Sequence, residues 1–248
     1  DKIDLIFSCL PHGKLQKDII NNLDSRIPII DLSGDFRLES INEYEKFYDS
    51  PHNSHDLQKK FCYGLTEVNR EKIKSAKFIS NPGCYPTSIQ IPLIPLIKKN
   101  LLKTHSITID SKSGFSGAGK NLKKKFKHKN LYSSTYAYGI ENHRHFCEID
   151  QEFKKITKQK VNFTFNPHLL PTFRGILSSI YIHSKNNISP KIIRNELIKF
   201  YKGSKFIKIL KLNSQIGSGN VLNTNNCEIS VCQTKIKNKF IIFTAIDN

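Results

Sequence analysis

Two nearly continuous apolar runs close to the start of the chain constrain its fold most. Ile3–Leu10 (IDLIFSCL) and Arg26–Leu32 (RIPIIDL) each have the length of a strand, and residues 14–24 between them have the length of a short helix. Apolar strands that alternate with helices are typical of a parallel sheet with both faces covered. A third short strand is predicted at residues 76–80. The sequence therefore predicts an α/β fold that opens with a parallel sheet.

The pattern changes after residue 104. Residues 106–111 (SITIDS) alternate between apolar and polar side chains, which indicates a half-buried strand. Helices are predicted over residues 87–102, 149–158 and 190–202, and further strands over residues 161–165, 178–182, 228–233 and 240–245. Longer strands with few helices predict an α+β region with an antiparallel or mixed sheet. We place the boundary between the two regions near Cys84.

Composition excludes several classes of protein. The longest apolar run, residues 89–97, is too short to span a bilayer, and the start lacks the features of a secretion signal, so we expect a cytoplasmic protein. Six scattered cysteines without a C-x-x-C pair predict neither a metal site nor a disulfide framework. The net charge of +18 comes mainly from lysine. Its one dense run, Lys120–Lys129, is interpreted as a solvated segment, with nucleic-acid binding as the alternative from another class.

Asn81–Thr87 (NPGCYPT) places one cysteine where it can act as a nucleophile. Pro82-Gly83 indicates a turn, and Pro86 suits the first turn of a helix, where its missing N–H costs nothing. Cys84 would then lie at a helix N-terminus, and the helix dipole there favours a thiolate. The alternative is a small buried cysteine at a tight turn.

Three further segments have side chains that suit an acyl-transferring cysteine. His143 and His145 precede Glu148, which lies three residues after His145 and so shares a helical face with it, where it can orient the imidazole. Residues 111–120 (SKSGFSGAGK) form a glycine-serine loop rich in backbone donors, although it is not a P-loop. Arg37 and Arg174 are rare arginines in a lysine-rich chain, which favours bidentate binding of an anion over a structural ion pair.

Together these segments resemble the N-acetyl-γ-glutamyl-phosphate reductase family of arginine biosynthesis. The matching segments follow the family's order along almost the whole chain: residues 10–13 (LPHG), 31–38 (DLSGDFRL), 63–67 (YGLTE), 81–87, 113–120, 143–151, 167–177 and 244–248. The resemblance implies a Rossmann domain followed by a substrate domain like that of aspartate-semialdehyde and glyceraldehyde-phosphate dehydrogenases. It implies residues 1–84 for the first domain, 85–245 for a catalytic and dimerisation domain, and 246–248 for a return towards the first.

The resemblance also implies a reaction and a set of site residues. The family reduces an acyl phosphate to an aldehyde with NADPH and releases inorganic phosphate, and it forms homo-oligomers. Cys84 matches the nucleophile, and His143 and His145 match the acid–base pair, with a preference for His145 because of Glu148. The implied cofactor contacts are Leu10, Pro11, His12, Ser116, Gly117, Ala118, Gly119 and Asn248. Arg144, Arg174 and Arg37 are candidates for binding substrate anions or for buttressing.

Two departures and two alternatives accompany the resemblance. The family's glycine-rich pyrophosphate loop and its closing helix have no counterpart in this sequence, so we expect a chain truncated at both ends that binds NADPH poorly by itself. We also expect exposed sheet edges that favour aggregation. A lysine-pathway relative that acts on a carrier-bound aminoadipyl phosphate is the closest alternative, and a non-catalytic remnant is the other.

Overall fold

The computed structural model describes residues 2–16, 20–24, 26–119, 130, 132–140, 142–185 and 188–248. The basic run Lys120–Lys129 lies outside these residues. The chain divides into two compact units, Asp1–Gly83 and Cys84–Asn248, which we describe separately. Within the described residues, no helix is long and apolar enough to cross a membrane.

The amino-terminal unit is built on a four-stranded sheet in the order β1-β2-β4-β3, in which every pairing is parallel. Its strands are β1 (Ile6–Ser8), β2 (Ile29–Asp31), β3 (Phe61–Tyr63) and β4 (Phe78–Ser80), and its helices are α1 (Ile41–Tyr48), α2 (His55–Gln58) and α3 (Thr66–Ser75). The core contains Leu15, Ile20, Ile29, Phe36 and Phe78. The parallel sheet that the sequence predicts is therefore confirmed.

Small polar side chains end three neighbouring strands of this sheet. Ser8, Asp31 and Ser80 are the last residues of β1, β2 and β4, and all three are buried. Open α/β sheets bind ligands outside the carboxyl ends of their strands. This edge is therefore where a ligand of the amino-terminal unit is expected.

The carboxyl-terminal unit contains a seven-stranded mixed sheet in the order β6-β7-β5-β8-β11-β10-β9. Its strands are β5 (Ile107–Gly114), β6 (Tyr136–Ala137), β7 (Phe163–Leu170), β8 (Ile176–His183), β9 (Ile207–Ile209), β10 (Cys227–Gln233) and β11 (Lys239–Ile246); its helices are α4 (Cys84–Lys98), α5 (His145–Ile156) and α6 (Pro190–Phe200). β5 pairs with β7 in parallel and with β8 in antiparallel fashion. The predicted mixed α+β region is confirmed, with longer strands than predicted.

Helix α4 is almost entirely buried despite two internal prolines, Pro92 and Pro95. A proline in a helix cannot donate to the carbonyl four residues earlier, so Pro95 leaves the carbonyl of Ile91 without its helical partner. The hydroxyl of Tyr201, just after α6, donates to that carbonyl at 2.5 Å. The side chain therefore replaces the hydrogen bond that the proline removes. Asn100 then ends the helix in a left-handed conformation, with φ of 57°.

Several predicted boundaries differ from the observed ones. The helix predicted over residues 14–24 includes residues 17–19, which lie outside the described part, and Ile20–Asn22 form a single 3₁₀ turn. α5 begins at His145, four residues before its predicted start, because the apolar pattern becomes clear only from Ile149. β5 continues through Gly114, three residues beyond the predicted strand and into the segment predicted as loop, and a 3₁₀ turn over Phe115–Ala118 follows it.

Candidate active site

Cys84 is the first residue of α4 and is partly exposed. Pro86, in the first turn, has no N–H to donate, and that turn requires none. The helix is held at this end by a chain of buried hydroxyls: Ser88 Oγ donates to the carbonyl of Tyr85 at 2.9 Å and lies 2.8 Å from Ser178 Oγ on β8. The helix N-terminus that carries the thiol is therefore fixed to the central sheet.

Two tyrosines lie beside Cys84. The hydroxyl of Tyr85 donates to the carbonyl of His168 at 3.2 Å and lies 3.1 Å from the hydroxyl of Tyr138. Because Tyr85 has a single hydroxyl proton, Tyr138 is the donor in the second hydrogen bond. The two phenols thus form a directed chain from Tyr138 through Tyr85 to a backbone carbonyl.

Both phenols keep their protons at neutral pH. The pKa of Tyr138 is raised to about 12, mainly by burial; the negative charge of Cys84 also raises this pKa, whereas the positive charge of Arg144 lowers it. Burial also raises the pKa of Tyr85 well above its ordinary value, with a further contribution from Tyr138. Cys84 and Arg144 are therefore both close enough to Tyr138 for their charges to change its pKa.

The two candidate histidines pack against each other and against Tyr85. The ring centroids of His143 and His145 are 4.8 Å apart, and that of Tyr85 lies 5.5 Å from the first and 6.0 Å from the second. The backbone N–H of His145 donates to Nδ1 of His143 at 3.2 Å, so neutral His143 carries its proton on Nε2. The structure therefore brings both histidines to the residue that follows Cys84.

Helix α5 positions the second histidine and the carboxyl group predicted to support it. His145 is its first residue, and Glu148 lies one turn later; both are buried, and Glu148 is 0% exposed. The Gln90 side chain of α4 donates to the backbone carbonyl of Glu148 at 3.1 Å. The cysteine helix and the histidine helix are therefore joined directly by a hydrogen bond.

A mainly apolar cavity of about 320 Å³ opens next to His143. Its other walls are Gly139, Ile140, Phe146, Phe163, Thr164, Phe165 and Asn166. A small organic molecule fits a cavity of this size and composition.

The glycine-serine loop is tied to the end of the chain. The amide of Asn248 donates to Ser113 Oγ at 3.0 Å and to the carbonyl of Gly114 at 3.1 Å, and its oxygen accepts from Gly175 N–H at 2.7 Å. Ser116 Oγ donates to the same oxygen at 3.4 Å. Of the predicted cofactor residues, Asn248 and the Ser116–Gly119 segment are thus neighbours.

Arg174 forms a bidentate ion pair with Asp247. Its Nε lies 3.0 Å from Oδ1 and its Nη2 lies 2.8 Å from Oδ2. Asp247 also accepts from the backbone N–H of Asn223 at 2.8 Å. The edge of the Arg174 guanidinium that would bind a substrate anion is therefore already paired with the carboxylate of Asp247.

The remaining candidates lie in the amino-terminal unit. Leu10, Pro11 and His12 form the segment after β1. Gly13 closes this turn with φ of 82°, and its N–H donates to Asp35 Oδ1 at 2.6 Å. The turn that follows a parallel strand is thus held by a buried carboxylate.

Arg37 is buried and donates to two backbone carbonyls. Its Nε lies 2.7 Å from the carbonyl of Asn81, and its Nη2 lies 2.9 Å from that of Leu32. These contacts fix the strand ends after β2 and β4, which favours buttressing over anion binding.

Tyr138 is the site residue that the sequence analysis missed. It stands five positions before His143 in the segment Tyr136–Gly139 (YAYG), which has no charge or motif of its own. The sequence signal that could have identified Tyr138 is its position shortly before the two histidines. Its hydrogen-bond partner, Tyr85, stands 53 residues earlier in the sequence.

Two family models match the chain. Residues 1–76 match the semialdehyde dehydrogenase NAD binding domain, and residues 84–248 match the semialdehyde dehydrogenase dimerisation domain. Solved structures share the fold: a probable aspartate-semialdehyde dehydrogenase from Pseudomonas aeruginosa aligns with a TM-score of 0.70 at 14% identity, covering 98% of this chain and 74% of that one. Aspartate semialdehyde dehydrogenase II from Vibrio cholerae aligns with a TM-score of 0.69 at 14% identity over the same shares.

Curated relatives are more similar in sequence. A probable chloroplastic N-acetyl-gamma-glutamyl-phosphate reductase of Arabidopsis thaliana is 42% identical over 99% of this chain and 61% of its own length. The N-acetyl-gamma-glutamyl-phosphate reductase of Ehrlichia ruminantium (strain Gardel) is 42% identical over 100% of this chain and 71% of its own. The chain thus spans about three-fifths of the plant relative. It belongs to the semialdehyde dehydrogenase family, in the branch of the N-acetyl-gamma-glutamyl-phosphate reductases.

Proposed function

We propose that this protein catalyses the NADPH-dependent reduction of N-acetyl-L-glutamyl 5-phosphate to N-acetyl-L-glutamate 5-semialdehyde, with release of phosphate. The observation that carries the proposal is the position of Cys84 at the N-terminus of α4, next to Tyr85, whose ring packs against both His143 and His145. The names of the relatives supply the substrate.

In the first step the thiolate of Cys84 attacks the acyl carbon. A carbon–sulfur bond forms, the bond from carbon to the phosphate oxygen breaks, and phosphate leaves with the electron pair. The helix N-terminus favours the thiolate that this step requires. The positive charge of Arg144, which acts at Tyr138 next to Cys84, suits the phosphate that departs.

In the second step the thioester is reduced and released. NADPH, when bound, supplies the hydride that the thioester carbon accepts. A histidine protonates the oxygen to give a hemithioacetal and then takes the proton back as the carbon–sulfur bond breaks, which frees the aldehyde and the thiolate. We assign this proton transfer to His145, with Glu148 one turn further along α5 to orient the ring.

The residues present suit a dinucleotide. Small and buried polar side chains end β1, β2 and β4, where a parallel sheet binds ligands, and the Pro11–Gly13 turn follows β1. In the other unit, a Cβ added at Gly119 would meet no atom of the described residues within 4 Å. We propose Leu10, Pro11, His12 and the segment Ser116–Gly119 as cofactor contacts.

We also propose that the protein forms a homo-oligomer through its carboxyl-terminal unit. One face of the seven-stranded sheet packs against helices, and the other presents half-buried side chains, among them Asp110, Lys112, Tyr181 and Phe243. This face suits a second copy of the sheet. Light scattering coupled to gel filtration gives the number of chains.

The proposed compartment is the cytoplasm. All six cysteines are free thiols, which suits a reducing compartment. The plant relatives are named chloroplastic, so cell fractionation in the natural host is the deciding measurement.

The first experiment measures phosphate-dependent reduction of NADP+ with N-acetylglutamate 5-semialdehyde, the reverse reaction. The intact natural protein is compared with Cys84→Ala, and Cys62→Ala removes another partly exposed thiol as the matched control. We expect activity that requires phosphate and Cys84 but tolerates Cys62→Ala. A folded protein that is inactive here but reduces a carrier-bound aminoadipyl or an aspartyl phosphate would reject the proposed substrate.

A further inference from the structure

The structure assigns Asn248, Asp247 and Arg174 to a clamp that holds the Ser113–Gly119 loop against the Thr172–Gly175 turn. We infer that these three are positioning residues for the loop, and that Arg174 acts through its pair with Asp247 instead of binding the substrate anion. The inference rests on the proposed function for its kinetic consequences, whereas the clamp itself is a property of the carboxyl-terminal unit.

The hydrogen bonds of Asn248 use the full capacity of its side chain. A primary amide has two N–H donors and an oxygen with two lone pairs. The donors go to Ser113 Oγ and to the carbonyl of Gly114, and the oxygen accepts from Gly175 N–H and Ser116 Oγ. A cofactor amide could bond this side chain only by displacing one of these partners.

The loop and the turn are also joined through their backbones. The N–H groups of Gly114, Phe115 and Ser116 donate to the carbonyls of Gly175, Thr172 and Phe173, at 2.9, 2.9 and 3.0 Å. A Cβ added at Gly114 would lie 2.6 Å from the carbonyl oxygen of Phe173. The two segments therefore approach so closely that glycine is required between them.

The ion pair holds the turn to the same end of β11. Arg174 belongs to the turn, and Asp247 is the neighbour of Asn248. The Asp247 side chain is only 7% exposed, and bidentate pairing between guanidinium and carboxylate fixes orientation as well as distance. The Arg174–Asp247 ion pair thus holds the turn, and the side chain of Asn248 holds the loop, so both segments are attached to the dipeptide Asp247-Asn248.

Amide hydrogen exchange of the intact protein tests the clamp without reference to any reaction. Asn248→Asp keeps the size and the oxygen that accepts from Gly175, but loses both N–H donors. We expect exchange at Phe115 and Ser116 to rise about tenfold, while amides in the β10–β11 pairing stay unchanged. Asn213→Asp is the control, because it makes the same chemical change where the side-chain oxygen accepts from Gln233 N–H. Unchanged exchange at Phe115 and Ser116 in Asn248→Asp would overturn the clamp.

A double-mutant cycle separates positioning from substrate binding. Arg174→Ala, Asp247→Ala and the double variant are compared in exchange at Ser116 and in KM and kcat of the reverse reaction. In the clamp, both single variants have similar effects, and the double variant is no worse than either, because each breaks the same pair. If Arg174 bound the substrate anion, its loss would raise KM about tenfold or more while Asp247→Ala left KM unchanged, and that result refutes the inference. Should no activity be found at all, the exchange data still decide on the clamp, and only the proposed function fails.

Discussion

The two turns proposed to contact the cofactor are anchored in different ways. In the amino-terminal unit, the turn at Gly13 is held by Asp35, a carboxylate that is 0% exposed and also accepts from the hydroxyl of Tyr44. In the carboxyl-terminal unit, the Ser113–Gly119 loop is held by the neutral and partly exposed amide of Asn248. Disrupting the hydrogen bonds of a buried charge costs folding free energy, whereas a partly exposed amide can exchange its hydrogen-bond partners for water. The first anchor should therefore be linked to global stability and the second to local order.

Asp35→Ala is expected to have the largest effect. It leaves the N–H of Gly13 and the hydroxyl of Tyr44 without their acceptor, and it opens space in a buried site. We expect the free energy of unfolding to fall by about 3 kcal/mol, measured by urea denaturation followed by circular dichroism. A loss below about 1 kcal/mol would contradict the view that this anchor is part of the core.

Gly34→Ala tests the packing around the same anchor. A Cβ at this position would lie 2.3 Å from ring atoms of Tyr48, a buried side chain stacked on Tyr44. Because a stacked ring cannot move aside easily, we expect a loss of about 2 kcal/mol in the same denaturation experiment. Gly217→Ala is the control, since a Cβ there meets no atom of the described part of the chain within 4 Å.

His52 makes the stability of the amino-terminal unit depend on pH. Its Nε2 lies 2.9 Å from the carbonyl of Asp35, and burial lowers its pKa below the ordinary 6.5. The folded ring therefore resists a proton that the unfolded ring accepts, so the contribution of His52 is present above pH 6.5 and is lost as pH falls towards the folded pKa. We expect His52→Gln to flatten the fall in stability below pH 6.5 in urea titrations at several pH values.

Asp31 changes the stability of the unit with pH in the opposite direction, because burial raises its pKa above 3.8. Its contribution to stability is therefore present below pH 3.8 and is lost as pH rises through the folded pKa. Because the unsubstituted protein and His52→Gln both contain Asp31, the difference in their stability at each pH is free of the Asp31 contribution. Identical profiles for the two proteins would show that His52 is not responsible.

Gly117→Ala is expected to have the smallest effect on global stability. A Cβ there would lie 2.6 Å from Asn248 Nδ2, the end of a side chain that can turn away. We expect the free energy of unfolding to change by less than about 1 kcal/mol, while amide exchange at Ser116 rises as in Asn248→Asp. A large loss of global stability here would mean that the two anchors do not differ in kind.

Sequence patterns predicted the parts of the molecule whose signal is local. The turn before Cys84, the helix after it and the alternating strand at residues 106–111 follow from proline, glycine and apolar spacing, and the structure confirms them. The helix runs over Cys84–Lys98 and so begins three residues before, and ends four residues before, the predicted range of 87–102. Helix α3 (Thr66–Ser75) has no buried residue and hence no apolar stripe, so periodicity could not reveal it. The clamp joins Asn248 to Ser113 across 135 residues, a contact that no local pattern encodes. Tyr138 was missed for the same reason.

The proline in the cysteine helix has a consequence for how the protein is made. The carbonyl of Ile91 obtains its partner from Tyr201, which stands 110 residues later in the chain. At about 5–20 residues per second of synthesis, the helix waits roughly 5–20 s for that hydroxyl to leave the ribosome. Until then the carbonyl depends on water, so the segment that carries Cys84 cannot be buried early. The nucleophile should therefore acquire its final surroundings late during translation, after most of the chain has been synthesised.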